Sequence, residues 1–230
     1  LPMAISLKST ATVAADGVKL LVYGQAGAGK TSLIATLPSP VILSAEGGLL
    51  SLGWTDVPYV EIDSMERLDE AFDWLTGSQE AQQFQSVALD SISEIGEVIL
   101  SAEKARTKDG RAAYGEMADA LAIRLRRFRD KLPGRHVYFS AKLDKSADEK
   151  GRVMYAPSMP GKQTSQALPY YFDEVFALRV EQSPDGQTVR MLQTATDGLW
   201  QAKDLSGRLD PWEAPDLSAI IQKRQGGAAS

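Results

Sequence analysis

Short apolar runs, each closed by a glycine, a proline or an acid, alternate along the chain with stretches whose apolar positions recur at helical spacing. Residues 18–23 (VKLLVY) are apolar and β-branched and end at a glycine-rich turn, the pattern of a buried strand. A helix is predicted from Lys30 to Leu37, closed by Pro38 and Pro40. Residues 40–45 (PVILSA) read as a second strand and 57–62 (VPYVEI) as a third, which Pro58 assigns to a sheet edge. Asp63 with Glu66 is a capping-box-like start for a helix that carries Leu68, Phe72 and Leu75 and stops at Gly77. Residues 84–90 (FQSVALD) form another strand with an acid at its end, followed by a helix from Ile92 to about Lys104. The polar stretch Ala105 to Gly115 interrupts before a helix from Glu116 to Leu132.

Residues 136–141 (HVYFSA) are a strand, and Leu143 to Gly161 reads as a long loop rich in Lys, Asp, Pro and Gly, a length uncommon outside functional segments. Asp173 to Val180 and Thr188 to Ala195 form a hairpin around the turn sequence SPDG, residues 183–186. Strands alternating with helices, then a β-rich end, predict an α/β fold: a mostly parallel sheet flanked by helices with a C-terminal antiparallel hairpin extension. We expect residues 1–16 to be an N-terminal tail, 17–213 the core, and 214–230 a C-terminal helix with the frayed end GGAAS. Leu1 and Pro2 ahead of Met3 read as residues left from expression.

With 43% hydrophobic and 24% charged residues, the chain falls among ordinary soluble globular proteins. No apolar run reaches the roughly 18 residues of a membrane span, and the first residues lack the pattern of a secretory signal. There is no cysteine and a single histidine, His136, which excludes thiolate metal sites and argues against a histidine zinc site. A cytoplasmic protein with no membrane partner is expected. The net charge of −5 hides an asymmetry: Lys104 to Lys162 carries +8, and the remainder −13. The middle of the chain is a basic segment on an acidic body.

Residues 24–31, Gly24-Gln25-Ala26-Gly27-Ala28-Gly29-Lys30-Thr31, match G-x-x-x-x-G-K-[ST] in the required setting of strand, loop and helix. Glycines let successive N–H groups point at phosphate oxygens, and the helix N-terminus adds its positive end. The loop together with Ser32 is therefore the expected ATP site, with Lys30 on the β and γ phosphates and the Thr31 hydroxyl on Mg²⁺. Asp90, behind an apolar strand, has the form of the second metal-site acid, although it, or Ser91, could equally cap the next helix. Glu46 ends the strand after the phosphate-loop helix, where ligand crevices of α/β sheets lie, and Gly47 and Gly48 behind it keep bulk out of the crevice. By position alone it is a general base, a loop carboxylate or a cap.

The order of phosphate loop, strand ending in Ala-Glu and strand ending in Leu-Asp-Ser resembles the RecA recombinase family over roughly residues 17–205. More narrowly, SAEGG (44–48), ALDSISE (88–94), PSMPGK (157–162), YFDEVF (171–176) and AKDLSG (202–207) resemble compact phage-encoded RecA-like ATPases, a group that includes single-strand annealing recombination proteins. That resemblance implies a Mg-dependent, DNA-stimulated ATPase in a bacterial host's cytoplasm, with Glu46 as hydrolytic base. It implies a homo-oligomer, ring or filament, on single-stranded DNA, with a single-strand-binding protein as a further partner. The DNA loops would hold Lys104, Arg106, Lys108 and Arg111, and Lys145, Lys150 and Arg152, with Tyr114 and Tyr155 as stacking surfaces. Arg124, Arg126, Arg127 and Arg129 read as the wet face of a helix. Lys203 would be the finger that reaches a neighbour's γ phosphate, although Leu205 stands where the family pattern has arginine, and Arg208 is an alternative. The position after the HVYFSA strand, an amide in RecA, offers Ser140 and Lys142. Competing readings are a small-molecule P-loop kinase and a nucleotide-gated DNA-binding loader or regulator with little turnover; a motor helicase would need an appended domain.

Overall fold

The computed structural model describes Leu7, Ser9 and residues 16–147 and 150–226. The residues ahead of Met3, most of the expected tail, Asp148 and Glu149 of the expected long loop, and the last four residues of the frayed end lie outside them.

In chain order the strands and helices are β1 (Lys19–Gly24), α1 (Lys30–Leu33), β2 (Pro40–Ser44), β3 (Tyr59–Glu61), α2 (Met65–Gly77), β4 (Ser86–Asp90), α3 (Ile92–Arg106), α4 (Gly110–Asp130), β5 (His136–Ala147), β6 (Val153–Ser158), α5 (Lys162–Ala167), β7 (Glu174–Gln182), β8 (Thr188–Gln193), β9 (Lys203–Asp204), β10 (Trp212–Glu213) and α6 (Leu217–Gln225). One sheet takes the order β10-β8-β7-β1-β5-β4-β2-β3, with β6 paired to β5 and β9 to β7. The run from β7 through β3 is parallel, and β8, β9, β10 and β6 add antiparallel pairs. This is the expected mostly parallel α/β architecture with its antiparallel extension. β3, led in by Pro58, lies at the edge.

Period-two alternation sorts the central strand between two cores. Leu21 and Tyr23 face α2, α3 and α4 through Leu68, Phe72, Ile99, Leu121 and Phe128. Leu20 and Val22 face α1 and α6 through Ile34, Leu217 and Ile221. Each such side chain, fully buried, contributes on the order of 2 kcal/mol. α6 thus packs on the same sheet as the core, capped by Asp216, which accepts from Ala219 N. Among the described residues no helix is long and apolar enough to cross a membrane.

Four local expectations change. The helix expected from Glu116 begins six residues earlier, at Gly110, because the Asp109 carboxylate accepts from Arg111 N at 2.9 Å and caps it. Its buried stripe, Ala113, Met117, Leu121, Leu125 and Phe128, runs through Gly115 without a break. Much of the expected polar interruption is therefore helix. The long loop from Leu143 to Gly161 is instead a hairpin: β5 continues to Ala147 and pairs with β6, from Lys142↔Ser158 to Ala147↔Val153. Polar residues on an exposed ribbon look like loop in a sequence, and only the cross-strand partner makes them strand. The cap of α2 is Ser64, which accepts from Arg67 N, rather than Asp63. Finally, Arg124 and Arg127 of α4 are not part of a wet face, whereas Arg126 is exposed and Arg129 pairs with the neighbouring Asp130. Arg124 and Arg127 reach Asp69 of α2 at 2.6 and 2.8 Å, Arg127 also lies over the Phe72 ring, and Arg126 lies over Tyr171.

Candidate active site

The phosphate loop leaves the central strand where two cores meet, so its first residue is held by packing. A Cβ on Gly24 would come within 2.8 Å of the Leu178 carbonyl oxygen on β7, which only glycine avoids. Gly27 (φ 75) and Gly29 (φ 105) have left-handed backbone, the conformation glycine adopts without cost. Gly29 is the residue that opens α1. The expected loop residues thus hold the strand-turn-helix geometry their motif requires.

Lys30 folds back over the loop, its Nζ donating to the carbonyls of Gly24 (2.9 Å) and Gln25 (3.0 Å). Burial holds its ammonium below the ordinary lysine value, while Glu46 and Asp90 pull it back up. The Lys30 carbonyl accepts from the buried Tyr138 hydroxyl at 2.8 Å, fixing the first turn of α1 to β5. Thr31 Oγ1 donates to Asp90 Oδ2 at 2.6 Å. Asp90, 1% exposed at the end of β4, also accepts from Ser140 Oγ of β5. It does not cap α3, since Ser91 does, accepting from Glu94 N. A hydroxyl and a carboxylate in contact are hard oxygen donors of the kind Mg²⁺ takes, with water and phosphate completing its shell. The residues present fit that ion.

Glu46 lies just past β2, in a segment stitched to the end of β4: both Ala45 N and Glu46 N donate to the Asp90 carbonyl, at 2.7 and 3.3 Å. Ser91 Oγ donates to Glu46 Oε1. One serine therefore caps α3 and holds the Glu46 carboxylate next to Asp90. A Cβ at Gly47 or Gly48 would meet no atom within 4 Å, so both positions face open space, and Gly47 also has a left-handed φ of 66. Lys142 Nζ sits 2.6 Å from Glu94 and 3.9 Å from Glu46, and the hydrogen bond to Glu94 raises its pKa.

Lys30, Thr31, Asp90 and Glu46 come together; Lys203 does not join them. It pairs with Val175 on β9 and lines a small cavity with Lys19, Asp173 and Leu205 at the other end of the strands. With about 3.3 Å of rise per residue, Lys19 is roughly 17 Å from Gly24. Burial lowers the Lys203 pKa, opposed by Asp173 and Glu174. Lys203 could serve only a neighbouring subunit's nucleotide. Arg208, the alternative, packs against Gly226 at the end of α6.

The expected DNA residues divide between two places. Lys104 lies over the Tyr114 ring at 5.2 Å, Arg106 pairs with Glu103, and Lys108 and Arg111 flank the start of α4. Lys145 stands opposite Tyr155 on the β5–β6 ribbon, and Lys150 and Arg152 are at its turn. Tyr155 is not a free stacking surface, because Trp200 stacks on it at 4.2 Å. Two residues near the nucleotide loop escaped sequence reasoning. Ser91 was legible only as a cap. Arg190, which donates from Nε to the Ala28 carbonyl at 3.0 Å, lies 162 residues away and has no local signal at all.

No curated protein matches the chain in sequence. Among solved structures, the chain is similar to a KaiC-like protein of the hyperthermophilic archaeon Pyrococcus horikoshii OT3, at 13% identity, over 77% of this chain and 78% of that one, with a TM-score of 0.47. The family model described as an AAA domain matches residues 16–206. The phosphate loop, Glu46 and Asp90 all fall inside that match, and the chain belongs to the AAA domain family of P-loop ATPases.

Proposed function

We propose that this protein hydrolyses Mg·ATP and, as a homo-oligomer, binds single-stranded DNA to promote recombination or annealing. The observation that carries the hydrolytic part is the convergence of Lys30, Thr31, Asp90 and Glu46, with Ser91 tying the last two together. Mg²⁺, held by Thr31 and Asp90, would screen the phosphates. Loop N–H groups and Lys30 would hold the β and γ phosphates and stabilise charge that develops there. Glu46, oriented by Ser91, would take the proton of the attacking water. Ser140, on the strand between the loop strand and that of Asp90, fixes the second Asp90 oxygen.

Support for the nucleic-acid part is the arrangement of grooves. One, of about 730 Å³, runs along α4 and α5 past Arg111, Tyr114, Arg126 and Lys162. A second, of about 1070 Å³, runs along the β5–β6 ribbon past Ser146 and Tyr155. They share Gly161 and Lys162, so the two grooves meet, with Arg111 and Arg126 on the first and Lys162 common to both. Lysine and arginine there would neutralise backbone phosphates.

Phosphate release, measured with and without single-stranded DNA at two salt concentrations, tests the proposal. The expected result is release that DNA stimulates, with stimulation falling steeply as salt rises, at about −0.7 in log K per log salt for each phosphate contact. Release indifferent to DNA would instead mark a small-molecule kinase. ATP-dependent assembly without release would mark a nucleotide-gated regulator.

A further inference from the structure

A nucleotide has two ends, and the polarity of the site assigns one of them. Asp90, Glu46 and Ser91 lie on one flank of the phosphate loop, where the metal and the γ phosphate belong. The nucleoside must leave by the other flank. There the β7–β8 hairpin rises beside the loop: Leu178 packs on Gly24, and Arg190 of β8 crosses the loop outside Ala28 and Gly29. Between that hairpin and α1 lies a cavity of about 370 Å³, lined by Gly29, Ser32, Thr36, Leu178, Arg190 and Pro215. Its volume is in the range of small-ligand sites.

The walls are built and not accidental. Thr36 Oγ1 accepts from Leu217 N at 2.9 Å, which ties the start of α6, and Pro215 just ahead of it, to the end of the phosphate-loop helix. Leu178, Leu33 and Pro215 give the cavity apolar surface, which suits a flat heteroaromatic ring better than a phosphate. Arg190 supplies the charge. Its Nε is committed to the Ala28 carbonyl, and it forms no ion pair among the described residues. A planar guanidinium held by one nitrogen presents a face on which a base can stack.

We propose that this cavity takes the nucleoside end of the nucleotide and that Arg190 is a nucleotide-contacting residue, its guanidinium lying on the base. The proposal rests on the nucleotide-binding reading of the loop and adds the residue and the direction that the loop motif does not contain. It makes the antiparallel extension part of the nucleotide site, so that β8 senses whether a base is present.

Equilibrium titration of the intact chain with ATP and with inorganic tripolyphosphate, for wild type, Arg190→Ala and Lys30→Ala, tests it. Arg190→Ala should weaken ATP about tenfold and leave tripolyphosphate within about twofold, because only ATP carries a base. Lys30→Ala should weaken both. Unchanged ATP affinity in Arg190→Ala overturns the assignment. Equal losses for ATP and tripolyphosphate also overturn it, since Arg190 would then merely brace the loop through Ala28. A wild-type chain that binds neither ligand overturns the nucleotide reading itself. Should the alanine variant fail to fold, Arg190→Lys keeps the cation and loses the planar fork, and the same split between the two ligands is expected.

Discussion

At the C-terminal ends of β1, β2 and β4 the sheet holds Lys30, Thr31, Glu46 and Asp90; at the N-terminal ends of β1, β5 and β7 it holds Lys19, His136 and Glu174, joined by Arg224 of α6. Both clusters gather ionisable groups on the same sheet, and they satisfy them differently. In the first, hydroxyls of Thr31, Ser91 and Ser140 donate to the acids, and Lys30 bonds only to carbonyls of its own loop. Those are partners that a phosphate or a metal can replace. In the second, charges meet charges or strand-end backbone: Arg224 reaches Glu174 at 3.1 Å and Asp173 at 3.3 Å, Lys19 donates to the Arg135 carbonyl at 2.6 Å, and His136 Nδ1 accepts from Val18 N. Burial pushes Glu174 up to about 8, helped by its hydrogen bond to Asp204. These groups are spent chiefly on one another and on strand-end backbone, and they pin α6 and β9 to the sheet.

The largest effect that separates the two ends is expected from Glu46→Gln. The amide keeps an acceptor for Ser91 but cannot take a proton, so turnover should fall about 10²- to 10⁴-fold with ATP binding retained. Single-turnover phosphate release reads this; unchanged turnover would remove Glu46 from catalysis and the first cluster from its catalytic role. Next in size is Arg224→Ala, which removes the hydrogen-bond partner of Glu174 and Asp173 and should lower stability by about 1–3 kcal/mol. Urea unfolding measures it, and ATP affinity of the folded chain should stay at the wild-type value. A selective loss of ATP binding would break the contrast.

A further effect concerns pH. Because the folded chain holds the Glu174 proton up to about pH 8, well above the ordinary carboxylate value of 4.5, that group contributes stability present in full below the unfolded value and lost as pH rises through the folded one. Stability should therefore decline between those values, by at most about 1.4 kcal/mol per pH unit. Glu174→Gln should flatten the decline, as followed by thermal unfolding across that window; an unaltered slope would show that another group titrates there.

Legibility followed the range of the interactions. The phosphate loop is read at once, since Gly24, Gly27 and Gly29 answer to constraints within one turn of chain and one strand crossing. The start of α4 was missed because Gly115 looks like a breaker, whereas five buried positions on one face and the Asp109 cap outweigh it. The β5–β6 ribbon was missed because its strand character comes from pairing across a turn. Arg124 and Arg127 looked solvated because their acids, Asp69 and Asp73, belong to another helix.

By itself, then, the sequence determined the alternation of strands and helices, the mostly parallel character of the sheet, and the residue types of the phosphate and metal chemistry. These depend on period, on backbone freedom at glycine and on short motifs, all of them local. Tertiary structure alone decided that Ser91 holds Glu46 beside Asp90, that Lys203 faces away from its own loop, and that Arg190 reaches the phosphate loop at Ala28. Those are meetings of residues far apart in the chain, and only packing of the sheet brings them within reach of one another.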